Sequence, residues 1–590
     1  MKSIKIIGLV LFVAALAVFT ISMFNSTHQL TESLLKEHIQ DDATQSAMIS
    51  AAKDSGAFDK TYGTNIAFVS GMRDLFNKAD EAMGSGKIQG WQQDKYLFPL
   101  TKNSTEGPFG NTNMAFWLSI LLGALGSLIF ILPELRLAPG IKNNGIYHSA
   151  ATRGLSLPVR IFFLSAALLY VLWYSIGQFP LVIFYVLVIG FIVFSIWKSE
   201  KGQGDERARK ASVNFSGWLG IAMGIYLISF YVLLYWNPYY VTNWVKMVDP
   251  IAKALSGGEA SQWFLYGFLY CVVMTVMGIR MMIKYRHNKY QLVRTCSVLF
   301  FQLGFAFLLP EIMVKLNQPY MDLKNAWPLN YSLFTGDSID KLAGQGSELA
   351  LGGFSTNVGT IMLIWGVILT LVVVPVFTYF YGKRWYCSWV CGCGGLAETL
   401  GDPFRQLSDK SMRAWKVERY VIHGVLVFAI LMTGLVLVHY FYEVDNFYIF
   451  KANSVKSWYG FMIGAMFSGV VGTGFYPLMG NRVWCRFGCP LAAILGLVQK
   501  FKSRFRITTN GGQCISCGNC STYCEMGIDV RAYAQKGQNI VRSSCVGCGV
   551  CAAVCPRGVL KLENGSDDIG SRTSELKAIH ISESDLKILS

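Results

Sequence analysis

Apolar and polar stretches alternate along the chain over tens of residues, far longer than the repeat of any soluble helix or strand. Apolar runs fall at about 6–24, 114–134, 161–178, 180–197, 216–236, 263–283, 295–314, 358–380, 421–440 and 457–479. Each is close to the roughly 20 residues that cross a ~30 Å hydrocarbon layer as a helix. The pattern predicts a mainly α, polytopic membrane bundle of about ten spans. It divides the chain into an N-terminal anchor (1–24), a polar domain outside the membrane (25–113), six spans (114–357), a further membrane module (358–500), a cysteine-rich domain (501–562) and a flexible tail (563–590). The first run follows Lys2 and Lys5 and is not followed by an A-x-A site, which favours a retained anchor over a cleaved signal. Within 25–113 apolar residues recur at helical spacing from Ile66 to Met83. No phosphate loop, metal cluster or catalytic constellation is visible there.

Composition agrees with this class. Of 590 residues 53% are hydrophobic and 15% charged, and the mean hydropathy is +0.38. A net charge of +16 would suggest nucleic acid in a soluble protein. Here the basic residues gather in short loops between runs: Arg136, Lys142, Arg153 and Arg160; Lys198, Lys201, Arg207, Arg209 and Lys210; Lys284, Arg286, Lys289 and Arg294; Lys383 and Arg384. Such loops are retained in the cytoplasm. They alternate with loops poor in Lys and Arg, such as Asn237 to Gln262, so one orientation satisfies the series and places both chain ends inside. A bacterial inner membrane protein, and no nucleic-acid partner, is the expectation.

The cysteine count adds chemistry. Eight of fifteen cysteines lie between Gln513 and Pro556 in two runs of C-x2-C-x2-C-x3-C. This is the bacterial ferredoxin spacing, in which the fourth cysteine of each run ligates the other cluster. One [4Fe–4S] cluster is expected on Cys514, Cys517, Cys520 and Cys555, the second on Cys545, Cys548, Cys551 and Cys524. Small residues between the ligands (Gly518, Gly547, Gly549, Ala552, Ala553) let backbone amides approach the sulfurs. Zinc favours separated ligand pairs, and disulfides need an oxidising compartment. The first run closes on Glu525, where the second closes on Pro556.

Five more cysteines lie in two turns that follow inward-running spans. Gly382-Lys-Arg384-Trp-Tyr386-Cys387-Ser-Trp-Val-Cys391 and Gly480-Asn-Arg482-Val-Trp484-Cys485-Arg-Phe-Gly-Cys489 share Gly-x-Arg-x-aromatic-Cys-x3-Cys at an offset of 98 residues. Cysteines four apart share a face of a helical turn, so facing turns can present Cys387, Cys391, Cys485 and Cys489 to one point. Such a site suits a rubredoxin-like iron, a [2Fe–2S] cluster, zinc or Cu(I). Cys393 is a possible further ligand in the first turn; Cys271 and Cys296 read as packing thiols.

The turns and the cysteine-rich domain that follows them resemble the membrane polyferredoxins related to NosR, NapH and CcoG, associated with nitrous oxide reduction, periplasmic nitrate reduction and cytochrome oxidase assembly. The resemblance covers roughly residues 358–560. It implies a cytoplasmic ferredoxin domain, a cytoplasmic electron donor and a membrane or extracytoplasmic redox partner. The S/T-G-A-T motif that carries covalent flavin in NosR-like proteins is missing from 25–113, so no flavin is expected. Cys387-Ser-Trp-Val-Cys391-Gly-Cys393-Gly departs from the family's C-x3-C-P.

Three other features carry less. His423 and His439 sit in one run with no histidine in another, so haem is not expected. The charged loop Glu398 to Glu418 reads as solvated. Glu311 and Lys315 are the one notable charged pair within the spans, and both can reach an interface. The expected function is single-electron relay from a cytoplasmic donor through the clusters and the cysteine turns, with a quinone or a partner's haem needed to complete the crossing. The alternatives are an assembly factor that reduces a metal such as copper for a respiratory oxidase, and a redox sensor.

Overall fold

The computed structural model describes residues 2–84, 86–136, 218–351, 354–443, 446–447, 450–564, 579–581 and 586–588. Six helices in it are long and apolar enough to cross a membrane: Ser3–Phe24, Thr112–Arg136, Gln262–Lys284, Lys289–Lys315, Val358–Tyr381 and Met412–Tyr442. The expected spans at 161–178 and 180–197, and most of the basic residues flanking them, lie outside the described residues. The run at 216–236 forms a helix, Trp218–Trp236.

The run at 457–479 departs from the expected single span. It is broken into a π-helical stretch Gly460–Val471, a turn Gly472–Gly474 and a short helix Tyr476–Met479. Glycine density and Pro477 weaken the helix. The glycines are used for packing: a Cβ on Gly460 would stand 2.7 Å from the Tyr331 hydroxyl and one on Gly469 3.1 Å from the Tyr231 ring.

The first two apolar helices pack antiparallel through backbone contact. A Cβ on Gly8 would lie 2.6 Å from the Phe130 nitrogen, and one on Gly126 would lie 2.6 Å from the Phe12 nitrogen. Small residues at such crossings let membrane helices approach closely. Between these helices the polar segment folds into a small helical domain. Its helices begin at side-chain caps on Thr31, Asp41 and Thr64. Phe68, Val69, Met72, Leu75, Phe76 and Ala79 form the buried stripe of Asn65–Met83, each apolar contact taken from water at about 25 cal/mol per Å². Lys102, 4% exposed, anchors the domain to the loop before Gln262 through Asp249 at 2.9 Å and Glu259 at 3.0 Å.

Residues 317–335 leave the helix Lys289–Lys315 and fold back into the bundle. The Trp327 N–H donates to Thr370 Oγ1 at 3.1 Å, its indole N–H to Thr433 Oγ1 at 3.0 Å, and Tyr386 donates to the Lys324 carbonyl at 3.0 Å. Irregular backbone at this depth is tolerated when its polar groups are satisfied by protein. The segment brings the ion pair Lys324–Asp322, at 2.6 Å, toward the first cysteine turn. The expectation that Glu311 and Lys315 form the notable charged pair is therefore corrected: Lys315 donates instead to the Ala254 carbonyl at 2.7 Å, and the ion pair in this segment is Lys324 with Asp322.

The cysteine-rich domain closes on an antiparallel pair, Arg506–Thr509 with Leu560–Glu563, to which Ile540 bridges through Ile507. Of the C-terminal tail, the described residues form a short pair, Ile579–Ile581 with Leu586–Ile588.

Candidate metal centres

Both ferredoxin-like runs adopt one backbone trace. The third residue of each, Ser516 and Gly547, has positive φ (57° and 59°), and so does the residue after the second cysteine, Gly518 and Gly549 (80° and 75°). This left-handed conformation favours glycine; a serine adopts it in the first run. Each trace leads into a one-turn helix, Asn519–Thr522 or Val550–Ala553. Cys514, Cys517, Cys520 and Cys555 line a single cavity together with Pro556 and Arg557. Cys551 lies in the field of Cys548, Cys524 and Cys545. Burial pushes the Cys520 and Cys545 thiols up to about 12, so deprotonated sulfurs there call for a cation to compensate their charge. A donor set of four converging, unpaired thiols fits an iron–sulfur cluster.

The second run is clamped to the membrane module by its main chain. Four successive carbonyls accept side-chain hydrogen bonds: Cys545 from Gln499 (2.8 Å), Val546 from Ser388 (2.8 Å), Gly547 from Tyr290 (2.8 Å) and Cys548 from Gln291 (2.8 Å). Ser388 is the neighbour of Cys387. Contact is so close that a Cβ on Gly547 would meet Arg384 at 2.6 Å and one on Gly549 would meet Tyr290 at 2.8 Å. The first run is the outer one, with Ile515 47% exposed.

The two cysteine turns share their local geometry. Gly382 and Gly480 have positive φ (69° and 93°). The Cys391 N–H donates to the Tyr386 carbonyl at 2.8 Å and the Cys489 N–H to the Trp484 carbonyl at 2.9 Å, both reaching back five residues in the manner of a π-turn. Cys391 and Cys489 then stand at the N-caps of the helices Gly392–Thr399 and Pro490–Lys502, where a thiolate is favoured by the helix dipole. Cys387, Cys391, Cys485 and Cys489 are all buried in one core cluster, with Cys393 against it. Cys489 lies in the field of Cys485, Cys391 and Cys387. Burial pushes Cys387 up to about 12, whereas a hydrogen bond from Cys393 holds Cys391 down at about 6. Symmetry ends at the arginines. Arg384 stacks on the Phe505 ring at 4.8 Å; Arg482 donates to the Cys387 carbonyl at 3.1 Å and approaches Cys485 Sγ at 3.7 Å.

Arg482 belongs to a buried ionic network between the turns and the second run. Its partners are Glu398 at 2.7 Å and Glu525 at 3.0 Å. Glu398 also holds Arg294 at 2.6 Å and contacts Arg405. Arg405 bonds Glu525 at 2.7 Å and Asp402 at 2.9 Å, and Asp402 takes Lys284 at 2.6 Å and Arg280 at 3.3 Å. Carboxylate oxygens of Glu398 and Glu525 lie within 4.8 Å of Cys548 Sγ and of each other. Five cations thus meet these three carboxylates, with Glu134 a further partner of Arg280 at 3.9 Å, and Arg482 is the cation that reaches a cysteine sulfur of the turns. This corrects the reading of the loop from Glu398 to Glu418 as solvated: Glu398, Asp402 and Arg405 are 3%, 2% and 0% exposed. Acidic and basic residues spread over a loop read alike in sequence whether water or one another solvates them. Neither spacing nor composition marked Tyr290, Gln291, Ser388 or Gln499 either. His423, by contrast, donates from Nδ1 to the Arg419 carbonyl at 2.7 Å, and Cys296 is exposed while Cys271 is buried.

Comparison with known proteins bears on these same segments. The family described as 4Fe-4S dicluster domain matches residues 506–556. The family described as 4Fe-4S binding domain matches twice, at 363–411 and 459–508, once on each cysteine turn. The chain carries 4Fe–4S domains in its C-terminal part. It is also similar to the "Putative electron transport protein YccM" of Escherichia coli (strain K12), with 26% identity over 155 residues, or 25% of this chain and 43% of that protein. The chain thus spans less than half the length of that relative. No solved structure matches.

Proposed function

We propose that this protein is a single-electron relay with three centres in line. A soluble donor, cytoplasmic on the reading that the distribution of basic loops supports, reduces a [4Fe–4S] cluster on Cys514, Cys517, Cys520 and Cys555. The electron passes to a second cluster on Cys545, Cys548, Cys551 and Cys524, and then to iron held by Cys387, Cys391, Cys485 and Cys489. The acceptor is a membrane or extracytoplasmic redox partner, as in the NosR, NapH and CcoG relatives that the turns resemble. The protein's own residues ligate, space and tune the centres; the chemistry of the iron is electron storage.

The observation that carries this reading is the four-carbonyl clamp. It holds the second run against Ser388, the neighbour of Cys387, so the proximal cluster and the turns share one packed core. Arg482 beside Cys485 Sγ, and Arg405 and Arg294 in the field of Cys548, support anionic centres on either side of the network.

Anaerobic iron and acid-labile sulfide analysis, with EPR-monitored redox titration of the full chain, tests the proposal. Three titrating centres are expected, and Cys485→Ser should remove one while leaving the other two. A protein with the ferredoxin signals alone, unchanged by Cys485→Ser, overturns the third centre; an iron-free protein overturns the relay.

A further inference from the structure

The ferredoxin-like domain shows charge of one sign at its surface. Residues 501–563 carry eight Lys and Arg against three acids, and none of those acids is exposed. Glu525 lies in the buried network, Asp529 accepts from Ser521 Oγ at 2.7 Å and caps the helix Val530–Gln535, and Glu563 is half-buried. Some of the basic residues are taken up by rings of the membrane module, Arg504 by Tyr379 at 5.3 Å and Arg542 by Trp415 at 4.9 Å. Arg531, Lys536, Arg557 and Lys561 have no ion-pair partner among the described residues, and the last three are exposed. All four adjoin the first cysteine run. Arg531 and Arg557 line the cavity of Cys514, Cys517, Cys520 and Cys555. Lys561 follows Leu560, another lining residue, and Lys536 follows Gln535, whose amide donates to Ser516 Oγ at 2.6 Å. The apolar Ile515 and Pro556 are exposed at the same cavity. Its free volume is about 20 Å³, room for roughly one water, so no organic reductant enters it and electrons arrive across the surface.

We infer that this basic rim docks an acidic electron-carrier protein, one that presents carboxylates around its own redox group. The inference rests on the relay reading and names the class of its donor. An apolar centre within a charged rim is the anatomy of a protein contact, and weak redox encounters use the smallest interfaces, below about 1,200 Å². Positive charge around the centre steers an acidic partner in and turns a basic one away. An anionic lipid surface suits the rim less well, because it is the other run, at residues 545–548, that grips the membrane module. The step balances without further reactants. One electron leaves the redox group of the reduced carrier and enters the cluster of the first run, and no bond is made or broken.

The test is calorimetric titration of the full chain, purified anaerobically into phosphatidylcholine nanodiscs, with oxidised plant-type ferredoxin, an acidic protein, and separately with cytochrome c, a basic one. Ferredoxin is expected to bind one to one and to weaken at least tenfold between about 20 mM and about 300 mM salt, as screening of exposed charge requires; cytochrome c is expected not to bind. Lys536→Glu with Lys561→Glu, both outside the cavity lining, should weaken ferredoxin at least tenfold with iron content and EPR signals unchanged, whereas Lys536→Arg with Lys561→Arg should keep the native affinity. Equal ferredoxin affinity in the native protein and the Glu variant, or no ferredoxin binding at low salt while phosphatidylserine vesicles are captured, overturns the docking surface. Ferredoxin binding that appears only after deletion of residues 565–590 assigns the rim to the acids of the chain's own tail and overturns it as well. Because binding is read without electron flow, failure of the relay appears separately, as missing iron.

Discussion

Glu525 Oε1 lies 3.0 Å from Arg482 Nη2, with both side chains no more than 1% exposed. Glu525 follows Cys524, the last cysteine of the first run, and stands where the second run has Pro556. Arg482 precedes Cys485 by three residues and reaches its sulfur. One ion pair therefore joins the residue beside a ligand expected for the proximal cluster to the residue beside a ligand expected for the turns.

Glu525→Pro would complete the ferredoxin pattern and yet should weaken the protein. It leaves Arg405 and Arg482, both buried, short of a carboxylate, and breaking a buried pair costs about 3–5 kcal/mol. We expect a lower thermal transition and loss of iron from the second cluster, with Glu525→Asp in between. An unchanged transition in Glu525→Pro would show the network to be redundant.

Tyr290→Phe and Gln291→Leu each remove one donor to the clamped carbonyls. Each should cost about 1 kcal/mol, and together they should raise hydrogen exchange across 545–551 by tenfold or more, because about 1.4 kcal/mol is tenfold in an opening constant. Exchange in the first run should stay at its native level.

Cys393 occupies the position of Leu491 in the repeat, and Leu491 is 1% exposed in the core. Cys393→Leu is expected to keep the iron on the turns, whereas Cys387→Ser and Cys485→Ser are expected to lose it. Iron analysis of the three variants decides whether the fifth thiol is a ligand.

Acid should act through the network. Several cations hold the carboxyls of Glu398 and Asp402 below the usual range against the opposing effect of their burial. Their folded values lie below the unfolded ones, so the unfolded chain binds more protons between the two. Their stabilising contribution is complete above about pH 5 and is lost as pH falls through the unfolded value near 4 and below. Far-UV circular dichroism from pH 6 to pH 2 should show this loss, with a shallower slope in Asp402→Asn.

What could be read from the sequence was set by local spacing. Cysteines two or three apart and apolar runs of twenty announce themselves, so the ferredoxin-like domain, the turns and most of the membrane helices were legible. The run at 457–479 misled because hydropathy ignores what five glycines and Pro477 do to helix continuity. The network was invisible because Arg294, Glu398, Arg482 and Glu525 meet only after folding, and a charge in a loop carries no mark of its burial. The segment carrying Lys324 gave no signal, since nothing in its residues encodes a return into the bundle.

The main-chain clamp on residues 545–548 also decides how such a device must work. A domain tethered by four carbonyls and a network of eight charges does not swing between stations as a shuttle would. Its donor has to come to it, at the outer rim around Ile515, and traffic in solution meets the membrane at one fixed quay.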